Sequence, residues 1–245
     1  MMMRGLTPQS LLEVCEWAES EHPANRAVAL LYAASPDTSW DELAALSIGR
    51  RDALLLELRE KTFGRQLEGF ASCLHCGERL EFAVATSDIR VGVGEQQPEY
   101  HFEYQGRAIR FRLPDSTDLV AVSHLPDPNL AGAELVSRCL LDQLTVADKA
   151  EQVMPDTGLV NAVAEQISQC DPQAEVLFDL HCPACNKDSQ SLFDIGGYIW
   201  IEFTDLARRL MQQVHWLARG YGWKEADILR MSAWRRRYYQ ELLGL

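Results

Sequence analysis

The sequence predicts an α-rich α+β protein. Three observations support this fold class. Apolar residues recur at helical spacing in residues 1–70 and again in residues 196–245. Short alternating segments between these two regions have the period of strands. Two C-x-x-C pairs, at residues 73–76 and 182–185, each stand beside such a segment.

The composition is that of an ordinary globular protein. The 245 residues include 36 Asp and Glu against 23 Lys and Arg, which gives a net charge of −13. This acidity disfavours a general nucleic-acid binder, because polyphosphates attract clustered basic residues. The longest apolar run, Ala27–Ala34, is far shorter than the roughly 20 residues of a membrane span. The chain opens without the apolar segment of a signal peptide. Four of the seven cysteines form two C-x-x-C pairs, which favours a reducing compartment, so we expect a cytoplasmic protein without membrane contact.

Residues 1–70 are the predicted N-terminal helical region. Four helices are expected there, at residues 8–18, 25–34, 40–46 and 47–63. Gly64 suits the end of the last of them. The charged side chains of that helix are interpreted as its solvated face: Arg50, Arg51, Glu57, Arg59 and Glu60.

Residues 71–86 and 176–195 are predicted to be the two halves of one unit, each with a cysteine turn and a short strand. The intervening residues 87–175 are predicted to form an acidic insertion of a hairpin followed by helices. Its hairpin strands are expected at Tyr100–Tyr104 and Ala108–Leu113. From Pro114 to Leu180 the chain has 12 Asp and Glu and only two basic residues.

Residues 196–245 are the predicted C-terminal basic helical region. Thr204 is expected to cap a helix that ends at Gly220, and Ser232 is expected to cap the last helix. One face of that last helix carries three large apolar side chains: Trp234, Tyr238 and Leu242.

The two C-x-x-C pairs predict a metal site. Cys73 and Cys76, followed by Gly77, match Cys182 and Cys185, followed by Asn186, and both Gly and Asn tolerate positive φ. Such turns aim two sulfurs at one point, and two of them supply the four thiolates of a closed structural zinc site. The predicted fold therefore includes a split four-cysteine zinc ribbon with a large insertion and flanking helical units.

The spacing of the pairs is unusual for a ribbon, because residues 77–181 separate them. Closing so long a loop costs roughly 4 kcal/mol of chain entropy. Structural zinc contributes roughly 10–16 kcal/mol, so the clip can hold distant parts of the chain together.

Alternatives to one four-cysteine zinc site stay open. His75 or His181 could replace a cysteine ligand, the pairs could be redox-active, or the four cysteines could be unrelated structural residues. The other three cysteines fall in predicted helices and are expected to be small core residues: Cys15, Cys139 and Cys170.

No catalytic pattern is present in the sequence. Phosphate-binding loops, nucleophile elbows, H-E-x-x-H and dinucleotide fingerprints are all missing. We therefore expect no catalytic residue, no small-molecule substrate and no enzymatic activity.

The C-terminal region concentrates positive charge, since residues 207–237 hold eight Lys and Arg against two acidic residues. Three interpretations stay open. The aromatic residues there could be core, with the arginines in a solvated or acid-pairing face. The region could instead dock a protein partner, or bind nucleic acid through Arg235, Arg236 and Arg237.

Three stretches together resemble a family of baseplate-type proteins encoded with contractile phage tails and related injection systems. They are IGRRDALLLELREKTFGRQLEGFASCLHCGERLEF, DPQAEVLFDLHCPAC and QQVHWLARGYGWKEADILRMSAWRRRYYQELL. The YGW-x-E-x-x-I-L element beginning at Tyr221 is also similar to a short motif of phage tail proteins. The resemblance implies a non-enzymatic baseplate component or hub-assembly chaperone whose partners are other baseplate or tail proteins. A zinc-containing nucleic-acid-binding regulator is the alternative function.

Overall fold

The computed structural model describes residues 3–92, 96–141, 145–146, 149–152 and 156–244. Its helices are α1 (Pro8–Ala18), α2 (Pro23–Ala34), α3 (Trp40–Ala44), α4 (Ile48–Phe63), α5 (Thr86–Ile89), α6 (Ser116–Val122), α7 (Pro128–Cys139), α8 (Thr157–Cys170), α9 (Ile195–Tyr221), α10 (Glu225–Leu229) and α11 (Ala233–Leu242). Its strands are β1 (Gln66–Ser72), β2 (Arg79–Ala85), β3 (Tyr100–Tyr104), β4 (Arg107–Phe111), β5 (Thr145–Val146), β6 (Lys149–Gln152), β7 (Leu177–Cys182) and β8 (Lys187–Leu192). The mixed α and β prediction is confirmed.

The strands form four separate two-stranded antiparallel sheets. The β3–β4 hairpin turns at Gln105 and Gly106, which both have a positive φ, as is common in two-residue hairpin turns. The turn lies where the sequence predicts it. The two C-x-x-C turns lie on the other two hairpins, β1–β2 and β7–β8.

The largest core joins helices from both ends of the chain. Leu30 and Leu31 of α2, Leu55 of α4, and Phe203 and Leu217 of α9 are fully buried in it. Helix α9 buries one apolar stripe along its length and packs against α1, α2 and α4, whereas α2 is buried on all sides from Ala27 to Leu31. The division into four domains with the boundaries given above stays a prediction.

Helix α9 begins ten residues earlier than the sequence indicates. Asp194 caps it by accepting a hydrogen bond from the backbone N–H of Gly197 at 2.9 Å. The expected cap Thr204 is an interior residue whose hydroxyl donates to the Trp200 carbonyl at 2.9 Å. The helix ends at Gly222, which has a φ of 70°, and not at Gly220. The prediction was wrong because a threonine can either cap a helix or lie inside one, where its hydroxyl bonds to a carbonyl of the preceding turn. The sequence does not distinguish these two positions.

The predicted solvated face of α4 is also wrong in part. Arg51 and Arg59 are 5% and 3% exposed. Arg59 donates two hydrogen bonds to the carboxylate of Glu202 on α9, both at 2.9 Å. Arg51 pairs with Asp52 at 2.8 Å and donates to the hydroxyl of Ser116 at 3.2 Å. These two arginines are buried because the oxygens of Asp52, Ser116 and Glu202 accept hydrogen bonds from their guanidinium groups.

The insertion has a smaller core of its own. The β3–β4 hairpin and helices α7 and α8 bury its central residues: Ile109, Phe111, Val136, Leu159 and Val163. A buried hydrogen bond connects this region with α4, since the Asp171 carboxylate accepts from the Gly49 backbone N–H at 2.8 Å.

Asp118 is the buried electrostatic centre of the insertion. Its fully buried carboxylate accepts hydrogen bonds from Arg112 at 2.6 and 2.9 Å and from Arg138 at 2.9 Å. Burial favours a raised pKa for Asp118, but the hydrogen bonds from Arg112 hold that pKa below its ordinary value of 3.8. Two basic residues of the acidic insertion therefore pair with an acidic residue of the same region.

Candidate metal centre

The two cysteine turns have the same local geometry. The backbone N–H of Gly77 donates to the Cys73 carbonyl at 2.9 Å, and that of Asn186 donates to the Cys182 carbonyl at 2.8 Å. Gly77 has a φ of 75° and Asn186 a φ of 55°. The expectation that these two residues permit a tight turn after each pair is confirmed.

The structure brings all four cysteine sulfurs together. The Sγ atoms of Cys73 and Cys185 lie 3.7 Å apart, and those of Cys76 and Cys182 lie 3.6 Å apart. All four lie within 4.8 Å of one another. In a tetrahedral site with zinc–sulfur bonds of about 2.3 Å, sulfurs are roughly 3.8 Å apart. The donor set and its spacing therefore fit a zinc ion, and this cluster could hold a metal.

Backbone hydrogen bonds prepare one sulfur for ionisation. The N–H of His75 donates to the Cys73 sulfur at 3.4 Å, and this bond, with a second from Cys76, lowers the pKa of Cys73 to about 6. The Glu78 backbone lowers the pKa of Cys76, but partial desolvation and the neighbouring sulfurs outweigh it and raise the pKa to about 12. A bound cation is what allows four adjacent thiols to ionise together.

Apolar side chains shield the cluster from solvent on one side. Cys73 and Cys182 are buried and pack with Leu80 and Leu180, whereas Cys76 is exposed. The four sulfurs therefore sit at the end of the two hairpins, with one edge open to solvent.

Both neighbouring histidines are directed to Asp188 rather than to the sulfurs. The His181 Nδ1 atom lies 2.7 Å from the Asp188 carboxylate, and the His75 Nε2 atom lies 3.4 Å from the Asp188 carbonyl. Among the residues that the structure describes, the sulfur cluster contains cysteines alone. Sequence analysis missed Asp188, although it lies directly across the β7–β8 ladder from His181.

The remaining cysteines differ from one another. Cys139 is buried as expected, and burial raises its pKa to about 12. Cys15 is half-buried against the large core, and burial raises its pKa to about 11. The expectation is wrong for Cys170, which is exposed at the end of α8.

The basic C-terminal region does not present the arginines as a group. Arg236 is only 6% exposed, because it donates to the Gln213 side chain at 3.0 Å and to the Met231 carbonyl. Arg235 and Arg237 are exposed. Arg236 therefore cannot be a surface contact for nucleic acid, as that alternative required.

The C-terminal aromatic residues fall into two sets. Tyr221, Trp223 and Tyr239 pack on one another against the large core. Trp234 and Tyr238 stack on each other with centroids 5.7 Å apart, but they are 73% and 48% exposed. The interpretation that the aromatics are core is therefore correct for the first set and wrong for the second.

Comparison with known proteins gives one match. A family model described as "T4 bacteriophage base plate protein" matches residues 9–198, more than three quarters of the chain. The match includes both cysteine turns and ends within α9. No curated protein and no solved structure shows significant similarity to the chain. No helix in the described ranges is long and apolar enough to cross a membrane.

Proposed function

The chain belongs to the T4 bacteriophage base plate protein family, and we propose that it is a non-enzymatic structural or assembly component of a contractile-tail baseplate. The match over residues 9–198 carries this proposal, because it includes helices α1 to α8 and all four clustered cysteines. The chain acts through protein–protein contacts, and its partners are other baseplate or tail proteins. It works in the cytoplasm, where thiols stay reduced, and in a phage tail-like particle.

One structural zinc is part of the proposal. Its ligands are Cys73, Cys76, Cys182 and Cys185, and the sulfur spacing supports this assignment. When bound, the ion supplies folding free energy and no open coordination position. With zinc in place, the β1–β2 and β7–β8 hairpins form the split ribbon.

The ribbon has a mechanical role in this proposal. Helix α4 leads into β1 within three residues, and β8 leads into α9 within three residues. Fixing the two hairpins at the sulfur cluster therefore fixes the ends of both long helices. The paired hydrogen bonds between Arg59 and Glu202 hold the same two helices at a second point. The resulting rigid body presents preformed surfaces to partners, which lowers the entropy lost on assembly.

Gene removal tests the proposed function. Cells that produce the tail-like particle without this chain are examined by electron microscopy, and we expect tails without complete baseplates. The wild-type chain restores the particles, and a Cys73→Ser, Cys182→Ser double variant does not. Mass spectrometry of purified particles then separates a structural component, which is present, from an assembly factor, which is absent. Normal baseplates in cells without the chain would overturn the proposal.

A further inference from the structure

A groove of about 1050 Å³ lies between β1, the end of β8 and the first turns of α9. Three large apolar side chains on its walls are more than half exposed: Phe70 at 60%, Leu192 at 61% and Ile201 at 60%. Exposed apolar side chains that gather in one groove indicate a binding site, whereas single exposed apolar residues are common on protein surfaces.

The wall formed by β1 is an open strand edge. The Thr86 N–H donates to the Arg65 carbonyl and the Cys73 N–H donates to the Glu78 carbonyl, both at 2.8 Å, so the odd-numbered residues between them face β2. The ladder alternates, so the backbone groups of Glu68, Phe70 and Ser72 point away from β2.

These outward backbone groups are mostly free. The Glu68 carbonyl accepts a hydrogen bond from the Tyr198 hydroxyl at 2.8 Å. In the described part of the chain, the outward N–H and C=O groups of Phe70 and Ser72 make no hydrogen bond. An exposed edge of this kind is a template for one more strand.

The floor of the groove is aromatic. Phe82 and Phe193 lie 5.9 Å apart between ring centroids, and Phe193 lies 5.2 Å from Tyr198. Gly69 permits this packing, because a Cβ there would lie 2.6 Å from the Phe82 ring. The floor therefore offers a preformed apolar surface beside the open edge.

The rim of the groove is acidic. Glu68, Glu81 and Asp194 have no basic partner among the described residues, and the only basic residue on the lining, Arg79, lies over the Phe70 ring at 4.0 Å. Two further acidic residues are already paired, Glu202 with Arg59 and Asp205 with Arg208. The excess negative charge selects a positively charged occupant.

We propose that this groove binds an extended segment of a partner protein in which apolar and basic residues alternate, and that the segment pairs with β1 as an added strand. Its backbone meets the free groups of Phe70 and Ser72, its apolar side chains meet the aromatic floor, and its Lys or Arg residues meet the acidic rim. A second copy of this chain fits poorly, because its own β1 would bring Glu68 against the same carboxylates. The inference deepens the proposed function by giving the chemistry of one baseplate partner.

Peptide binding to the full, zinc-loaded chain tests the proposal. The probes are fluorescein-labelled, acetylated KVKVKVK and EVEVEVE, measured by fluorescence polarisation. We expect KVKVKVK to bind at least about tenfold more tightly than EVEVEVE, because only its charges complement the rim. Hydrogen exchange is expected to slow at the amides of Phe70 and Ser72 when KVKVKVK binds.

Two pairs of variants locate the site. Phe70→Pro removes an outward N–H without removing a bond to β2, whereas Phe70→Ala keeps that N–H, so only the proline variant is expected to abolish protection at Ser72. Glu68→Lys with Glu81→Lys is expected to weaken KVKVKVK binding about tenfold or more. Glu103→Lys with Glu165→Lys changes the net charge by the same amount at exposed residues away from the groove, so this matched control leaves binding unchanged. Circular dichroism checks that each variant is folded.

Equal binding of the two peptides would overturn the proposal, as would unchanged protection in Phe70→Pro. Dimerisation of the chain through β1 without peptide binding would also overturn it. These measurements need no baseplate, so their failure is distinct from failure of the proposed function. Conversely, peptide binding in a chain whose removal leaves baseplates normal would retain the groove and refute the function.

Discussion

The sulfur of Cys73 lies 3.7 Å from the sulfur of Cys185, although 112 positions separate the two residues in the chain. The contact brings the β1–β2 and β7–β8 hairpins together at their turns. The large core holds α4 and α9 together at the other end of these hairpins. The cysteine cluster is therefore a second place, besides the large core, where these distant parts of the chain meet, and this leads to the first prediction.

Removal of zinc is expected to loosen the two hairpins before the helical core unfolds. A strong chelator should make residues 66–92 susceptible to limited proteolysis, because four thiols without a cation no longer hold the turns together. Cys76→Ser is expected to produce the same cleavage without a chelator. Cys170→Ser, at an exposed cysteine outside the cluster, is the control and should stay resistant. Equal resistance of the chelator-treated wild type, Cys76→Ser and Cys170→Ser would contradict a role of the cluster in stability.

Gly49→Ala is expected to destabilise the protein by about 1–3 kcal/mol. A Cβ at Gly49 would lie 2.1 Å from an Asp171 carboxylate oxygen and 2.9 Å from the Ala174 backbone nitrogen, so the insertion must move away from α4. Gly132→Ala in α7 is the matched control, because nothing lies within 4 Å of its added Cβ. The control should raise the free energy of unfolding by up to about 1 kcal/mol. Urea unfolding of both variants measures the difference, and equal effects would contradict the close approach of Asp171.

Arg59→Met is expected to lower the free energy of unfolding by about 3 kcal/mol, because it leaves the Glu202 carboxylate without its paired donors. The methionine keeps the length of the side chain, so lost packing contributes little. Arg208→Met removes an exposed pair with Asp205 and should change stability by less than about 0.5 kcal/mol. Chemical denaturation compares the two variants. An effect of Arg59→Met as small as that of the control would show that the buried pair is not a link between α4 and α9.

Asp118→Asn is expected to cost about 1.5–3 kcal/mol at pH 7, because Arg112 and Arg138 lose a charged acceptor. The pKa of Asp118 is lowered in the folded state, so its contribution is fully present above its ordinary value of 3.8. That contribution is lost as the pH falls through the folded value. The difference in stability between wild type and variant should therefore be constant from pH 7 to about pH 4 and shrink below it. A difference that does not depend on pH would contradict the charged pairing.

The hairpins and the cysteine cluster could be predicted because their signals are local. Strand alternation and the Gly77 and Asn186 turns each depend on a few adjacent residues. The convergence of Cys73 and Cys182 needed one more step, since four thiols of matching geometry suit a single ion. Gly77 and Asn186, the residues with positive φ after each pair, are also of types that the sequence alone identifies as tolerant of that conformation.

The errors concern side chains whose surroundings come from distant elements. Glu202 of α9 accepts two hydrogen bonds from the buried Arg59, and nothing near residue 59 indicates this contact. In α11, Trp234 and Tyr238 form an apolar stripe, but the helix packs through Tyr239 and Leu243 instead. Both faces of α11 have large apolar residues, so helical periodicity cannot decide which of them is buried. Only tertiary packing distinguishes the two faces.

The metal content of the purified chain tests the central claim most directly. Elemental analysis combined with X-ray absorption should give about one zinc per chain with four sulfur ligands at about 2.3 Å. The Cys73→Ser, Cys182→Ser double variant should bind none. A reduced wild-type chain without metal, or disulfides within both C-x-x-C pairs, would contradict the account.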